Sequence, residues 1–346
     1  MQARIASKMK ILKRLFIGLS FVTLFCIISG YIGFRYFFVP GPNQLIVGTG
    51  NSRGSDKIPM VWVASPGTPE DPYGALLVPI TFQGIDQTFY MQLDLGHPDT
   101  VFYPGKLLSI LERTSTTAGQ VKLSDLEKVS FKVGDIPVVA KKVKLRGSKD
   151  NRIDWDNIAS IELIGTLGSD FVEGSVMVMN YPLGMIQRLD DANDLKVPEE
   201  QWRSFYFRYR RTLLPAKIDS TNTLVMYDTG ASAFDLITSD ENFEKLAIPN
   251  SETTTTTGNS WGKQISIFHR PSLATMEFGT TALPIRRVTK MDGMGTLASA
   301  LMGMSGMRGM TGNTIFLKHV LVLDYGKQRM YLNGEFVEKP PLLHKD

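Results

Sequence analysis

The chain repeats itself, and that repeat limits what it can fold into more than any other feature. Gly165-Thr166-Leu167-Gly168-Ser169-Asp170-Phe171 leads into Val176-Met177-Val178-Met179-Asn180-Tyr181, and Gly309-Met310-Thr311-Gly312-Asn313-Thr314-Ile315-Phe316 leads into Val320-Leu321-Val322-Leu323-Asp324-Tyr325. Gly168 aligns with Gly312, Val176 with Val320 and Tyr181 with Tyr325, all without a gap. Upstream, each copy has an apolar strand that runs into an acidic turn: Tyr90-Met91-Gln92-Leu93-Asp94-Leu95-Gly96 in the first, Leu224-Val225-Met226-Tyr227-Asp228-Thr229-Gly230 in the second. The middles also correspond, with Thr114 to Gly119 in one copy and Thr254 to Gly258 in the other, each before a predicted strand hairpin. The chain therefore reads as two copies of one β unit of about a hundred residues, joined by a polar stretch.

Short segments rich in β-branched and aromatic residues, bounded by Gly, Pro, Asp or Asn, predict strands at Leu76–Phe82, Thr88–Leu93, Val129–Val133, Val138–Leu145, Val176–Met179 and Val320–Leu323. Helical patterns are few and short, at Lys106–Arg113 and Ser239–Leu246. A mostly β architecture follows. At 346 residues with 43% hydrophobic side chains, the chain has the material for two cores. Its net charge of +4 includes Arg4, Lys8, Lys10, Lys13 and Arg14 at the extreme N-terminus, and no nucleic-acid partner is expected. Those basic residues precede an apolar run from Leu15 to Phe34, long enough to cross a bilayer as an uncleaved anchor. The positive flank places the N-terminus in the cytoplasm and everything after about residue 39 outside it, in a periplasmic or extracellular setting. Cys26 is the one cysteine and sits within that run, so no intrachain disulfide is available. The expected organisation is a cytoplasmic segment 1–14, a transmembrane span 15–38, a tether 39–72 with at most one strand, a first unit 73–182, a linker 183–199, a second unit 200–335 and a tail 336–346.

An Asp-x-Gly turn after a hydrophobic strand is weak evidence alone, because Asp and Gly are ordinary turn residues. Two of them in corresponding places of a duplicated chain are specific. On these residues the chain resembles the aspartic proteases of the pepsin and retropepsin type. Asp228-Thr229-Gly230-Ala231-Ser232 fits that family's active-site turn without alteration, and Asp94-Leu95-Gly96-His97-Pro98-Asp99-Thr100-Val101-Phe102 is similar to the retroviral version. The resemblance covers about residues 73 to 335 and implies a two-lobed, pepsin-like fold of duplicated retropepsin-like units, one catalytic Asp per lobe. It implies Asp94 and Asp228 as the catalytic pair, with Leu95, Gly96, Thr229, Gly230 and Ser232 shaping their turns. Gly168 and Gly312 would lie in the segments that support those turns. Thr116, Thr117, Ala118 and Gly119 fall where the family carries a flap over the cleft. No metal and no cofactor is needed, and the partner is an extended protein or peptide substrate. The sequence departs from the family pattern at Leu95, where a Thr or Ser normally hydrogen-bonds across to the other lobe. Thr229 is thus expected to lose its reciprocal partner. The alternative reading of the same cleft is a pseudo-protease that binds a peptide or protein without cutting it.

Other patterns are given their plainer meaning. Met302, Met304, Met307 and Met310 lie in a Gly-rich stretch whose thioethers suit Cu(I), but adaptable methionines beside a cleft serve packing equally well. His97, His269, His319 and His344 show no metal-ligand spacing. Lys141, Lys142, Lys144 and Arg146 read as a solvated strand edge. Arg208, Arg210 and Arg211, interleaved with Tyr206, Phe207 and Tyr209, read as the wet face of an alternating strand.

Overall fold

The computed structural model describes residues 35, 39–48, 57–65, 71–114, 123, 128–260, 263–292 and 307–333. The chain divides into two compact units, Met1–Pro42 and Asn43–Asp346. In the first, the Val39 N–H donates to the Arg35 carbonyl at 3.3 Å. Among the described residues no helix is long and apolar enough to cross a membrane. Apart from Arg35, the expected span 15–38 lies outside them.

Among the described residues the second unit is mostly β, with sheets of nine, six and ten strands. Period-two alternation builds them: Phe89–Leu93 and Val129–Val133 bury every other side chain. The two predicted helices form at Pro104–Thr114 and Asp240–Leu246. In the first, Pro104 occupies the opening position, where a missing N–H costs nothing. In the second, the Ser239 hydroxyl caps the Asn242 N–H, with Asp240 and Glu241 in the opening turn.

The two large sheets share one strand order. In the nine-stranded sheet Phe89–Leu93 runs parallel to Leu163–Leu167, then come Val101–Phe102 antiparallel and Lys144–Leu145 parallel to that. In the ten-stranded sheet Thr221–Tyr227 runs parallel to Met307–Thr311, followed by Leu236–Thr238 antiparallel and Arg287–Asp292 parallel. On the other flank Ala75–Thr81 pairs with Phe89–Leu93 as Arg211–Ile218 pairs with Thr221–Tyr227. Both parallel pairs slip register at equivalent points, before Gly165 and before Gly309. At each slip a neighbouring strand comes too close for a side chain: a Cβ on Gly165 would stand 2.2 Å from the Val101 carbonyl oxygen, and one on Gly309 2.2 Å from that of Ile237.

The six-stranded sheet joins the copies. Val176–Asn180 pairs antiparallel with Val320–Asp324, and Val178 faces Val322, its own repeat counterpart. A pseudo-twofold axis therefore passes through that pair. Outside it, Met185–Leu189 and Arg329–Leu332 flank the two central strands in matching positions. Two stretches expected to connect units are thus built into sheets. The linker 183–199 supplies Met185–Leu189. The tether 39–72 supplies Leu45–Val47, Lys57–Pro59 and Val61–Val63, paired respectively to Val138–Ala140, Gln187–Met185 and Leu77–Ala75. Strands of three residues are too short to show periodicity; open edges of neighbouring strands recruit them.

Because the close approach at each slip is to the backbone of the antiparallel neighbour, Gly165→Ala and Gly309→Ala should each lower stability by about 2–4 kcal/mol, since backbone rather than a flexible side chain must move. Urea unfolding midpoints measure this, and losses below about 1 kcal/mol in both variants would show that the strands can part cheaply.

Candidate active site

Asp94 and Asp228 each leave the end of a central strand. Their backbones are held alike, the Asp94 N–H by the Leu167 carbonyl at 3.0 Å and the Asp228 N–H by the Thr311 carbonyl at 2.9 Å. In the first turn the His97 N–H donates to Asp94 Oδ1 at 2.9 Å. In the second, Asp228 Oδ1 accepts from the Gly230 N–H at 2.8 Å and the Ala231 N–H at 3.3 Å. The two carboxyl groups lie close enough for each to shift the titration of the other. Each also presses on the other's glycine. A Cβ on Gly96 would lie 2.3 Å from Asp228 Cγ, and one on Gly230 would lie 2.6 Å from Asp94 Cγ. Only glycine fits at either place.

One hydroxyl crosses between the turns. Thr229 Oγ1 accepts from the Leu95 N–H at 2.9 Å and donates to the Leu93 carbonyl at 2.7 Å. The expectation that Leu95 would strip Thr229 of its partner is therefore corrected, because both bonds run to the backbone of the first turn and need no hydroxyl at position 95. The Leu95 side chain is fully buried in the core and returns nothing to the second turn. Its carbonyl accepts from Ser169 Oγ at 2.7 Å.

The supporting glycines stand behind the turns: Gly168 N–H donates to Thr100 Oγ1 at 3.1 Å, and Gly312 N–H to the Phe234 carbonyl at 2.9 Å. Beside Gly312, Asn313 is fully buried. Its Nδ2 donates to the Thr229 carbonyl at 3.2 Å and to Ser232 Oγ at 3.0 Å, while its Oδ1 accepts from the hydroxyls of Tyr181 at 2.7 Å and Tyr227 at 3.1 Å. Sequence reading missed this hub. The repeat held the signal, since Asn313 and Ser169 occupy the same position after their glycines and both bond to a dyad turn. Thr116, Thr117, Ala118 and Gly119 lie outside the described residues.

The arginine-tyrosine stretch differs from expectation. It is a hairpin, with Tyr206–Arg208 paired to Arg211–Leu213, turning at Tyr209 and Arg210 with φ of 52° and 55°. Those two left-handed residues swing Arg210 out of strand alternation, so it does not face solvent. Its side chain is 5% exposed, with Nη1 3.0 Å from Asp99 Oδ1 and Nε 3.0 Å from Glu173 Oε2. From the basic run, Lys144 also meets Asp99, at 2.5 Å.

Burial raises the pKa of Asp94, and burial together with the negative charge of Asp94 raises that of Asp228. Each group therefore favours its protonated form more than an ordinary carboxyl does, and two neighbouring carboxyls resist ionising together. Nearby Asp170 is pushed up to about 6 by burial, although it accepts from the Thr100 N–H and hydroxyl, both at 2.7 Å. Burial lowers the pKa of His97, whose Nδ1 sits 2.6 Å from the Asp99 carbonyl oxygen. His269 lies apart, between the hydroxyls of Thr256 and Thr289 and stacked on Phe234. Among the described residues no three His, Cys, Asp or Glu side chains gather where they could hold a metal ion. Met302 and Met304 are outside those residues, and Met307 and Met310 belong to a central strand.

No protein-family model matches the chain, and no curated protein matches it in sequence. Among solved structures the chain is similar to the aspartic proteinase from Irpex lacteus, at 11% identity and a TM-score of 0.43, over 80% of this chain and 96% of that one.

The pKa shifts carry a sign for stability. Groups that hold protons more tightly when folded, as Asp228 and Asp170 do, stabilise the fold below their unfolded value of 3.8, and that contribution is lost as pH rises through the folded value. His269, pushed from 6.5 down to about 4 by burial, acts oppositely and loses its contribution as pH falls across that interval. The Asp228→Asn variant keeps the other two groups. As pH rises from 4 to 7, the urea midpoint of the native chain should therefore decline relative to that of the variant; parallel curves would mean that Asp228 titrates as an ordinary carboxyl.

Proposed function

We propose that the chain is an aspartic-type endopeptidase, hydrolysing peptide bonds in extended protein segments. The observation that carries this reading is the meeting of Asp94 and Asp228, from corresponding ends of duplicated strands, with each carboxyl packed against the glycine of the other's turn. The ionised carboxylate takes a proton from a water as its oxygen attacks the peptide carbonyl carbon, and the protonated partner donates to the carbonyl oxygen. Collapse of the tetrahedral adduct breaks the C–N bond; the departing nitrogen takes up the proton from the first carboxyl, and a diol hydroxyl returns one to the second. The unmodified Asp228-Thr229-Gly230 turn and the glycine fit at Gly96 and Gly230 support the same reading. The basic flank and the apolar run from Leu15 to Phe34 support membrane attachment, with the β unit outside the cytoplasm.

Leu95 favours one second reading, a cleft that binds a peptide partner without cutting it. Only one of the two dyad turns sends a hydroxyl across. A mixed peptide library offered between pH 3 and 7 separates the two readings. Specific cuts that disappear in both Asp94→Asn and Asp228→Asn are the expected result. A folded native chain that cuts nothing at any pH, yet retains peptides in a pull-down that Asp228→Asn also supports, would move the assignment to the binding protein.

A further inference from the structure

Arg210 is a costly residue where it stands. Withdrawing its charge from water is unfavourable before pairing, and its backbone φ of 55°, like the 52° of Tyr209, is one that non-glycine residues rarely adopt. A two-residue hairpin turn of this hand is normally made with Asn and Gly. Something other than turn formation must place an arginine there.

Arg210 connects toward both carboxyl-bearing segments, one through the backbone and one through its ion pair with Asp99. In the strand that follows its turn, Thr212 lies opposite Tyr227, the residue before Asp228. Across the ion pair, Asp99 closes the turn that begins at Asp94: its carbonyl oxygen is 2.6 Å from His97 Nδ1, and the His97 N–H is 2.9 Å from Asp94 Oδ1. Arg210 thus ties the Asp94 turn to the Asp228 strand. These are the segments that a hydroxyl at position 95 would join, since Thr229 joins their counterparts by reaching the Leu93 carbonyl. The other copy has a matching device: the hairpin of Val61–Val63 with Ala75–Thr81 carries Asp71 in its loop, 3.0 Å from Arg287 Nη2. That pair is more exposed, with the Arg287 side chain at 48% against 5% for Arg210.

We propose that Arg210 is a positioning residue which, through its ion pair with Asp99, fixes the Asp94 turn against the Asp228 strand in place of the hydroxyl that Leu95 lacks. This rests on the dyad reading above. The test uses the full chain and its Arg210→Gln, Asp99→Asn, doubly substituted and Arg210→Lys variants, together with Leu95→Thr in the Arg210→Gln background. Two readouts are taken: kcat and KM on a peptide from the library, and the titration of the Asp94 and Asp228 carboxyl carbons by NMR.

Arg210→Gln is expected to lower kcat by on the order of 10-fold or more with KM changed by less than about 2-fold. Asp99→Asn should do the same, and the double variant should lose little beyond either single one. Leu95→Thr should restore much of the lost kcat. Unchanged kcat in a folded Arg210→Gln chain, or losses that multiply in the double variant, would overturn the proposal. Should Arg210→Gln not fold, Arg210→Lys keeps the charge without the planar fork, and a lowered kcat at unchanged melting temperature supports the proposal while an unchanged kcat overturns it. Should the native chain cut nothing, the peptidase reading falls by itself. NMR then decides on Arg210: loss of the coupled two-step titration in the variants upholds it, and an unaltered titration removes it.

Discussion

Two carboxyl groups that repel when charged are held against each other, and much of the chain answers to that contact. Like charges about 4 Å apart cost on the order of 4 kcal/mol even at an effective dielectric of 20, so the pair resists ionising twice while the surrounding backbone keeps the turns in place. Gly96 and Gly230 are bare because each faces the other turn's carboxyl. Thr229 sends its hydroxyl across, and Asn313 ties the Thr229 carbonyl to Ser232 and to two buried tyrosine hydroxyls. Farther out, the pairing of Val178 with Val322 sets the axis on which the two turns can meet.

Much of this was legible because duplication writes the same information twice. The glycines of the repeat, the paired acidic turns and the alternating strands all occupy corresponding places in the structure. What escaped reading escaped for physical reasons. The strands Leu45–Val47, Lys57–Pro59 and Val61–Val63 are set by the edges they join rather than by their own pattern. Arg210 belongs to an arginine-tyrosine alternation that reads as a wet strand until two left-handed residues break it, and left-handed backbone at non-glycine positions has no composition signature. Asn313 carries no sign of its role, because nothing in the sequence states that two tyrosines and a threonine carbonyl converge on its amide.

The sequence predicts that Leu95 costs Thr229 its partner, and the geometry redistributes that loss. Hydrogen bonds from Thr229 end on main-chain atoms, which every residue supplies, so the substitution leaves that half of the bridge intact. What it changes is the core: a fully buried leucine packs where a hydroxyl would otherwise have to find partners.

That difference between Leu95 and Thr229 is possible only because the copies share one polypeptide. In an assembly of two identical chains, any change at this position strikes both sides at once, and a leucine would remove every crossing hydroxyl together. Covalent fusion frees the halves to drift apart in sequence while the axis between them survives. The second half alone supplies the crossing hydroxyl, which both accepts from and donates to the first, so a geometry built on a twofold axis has a fixed front and back.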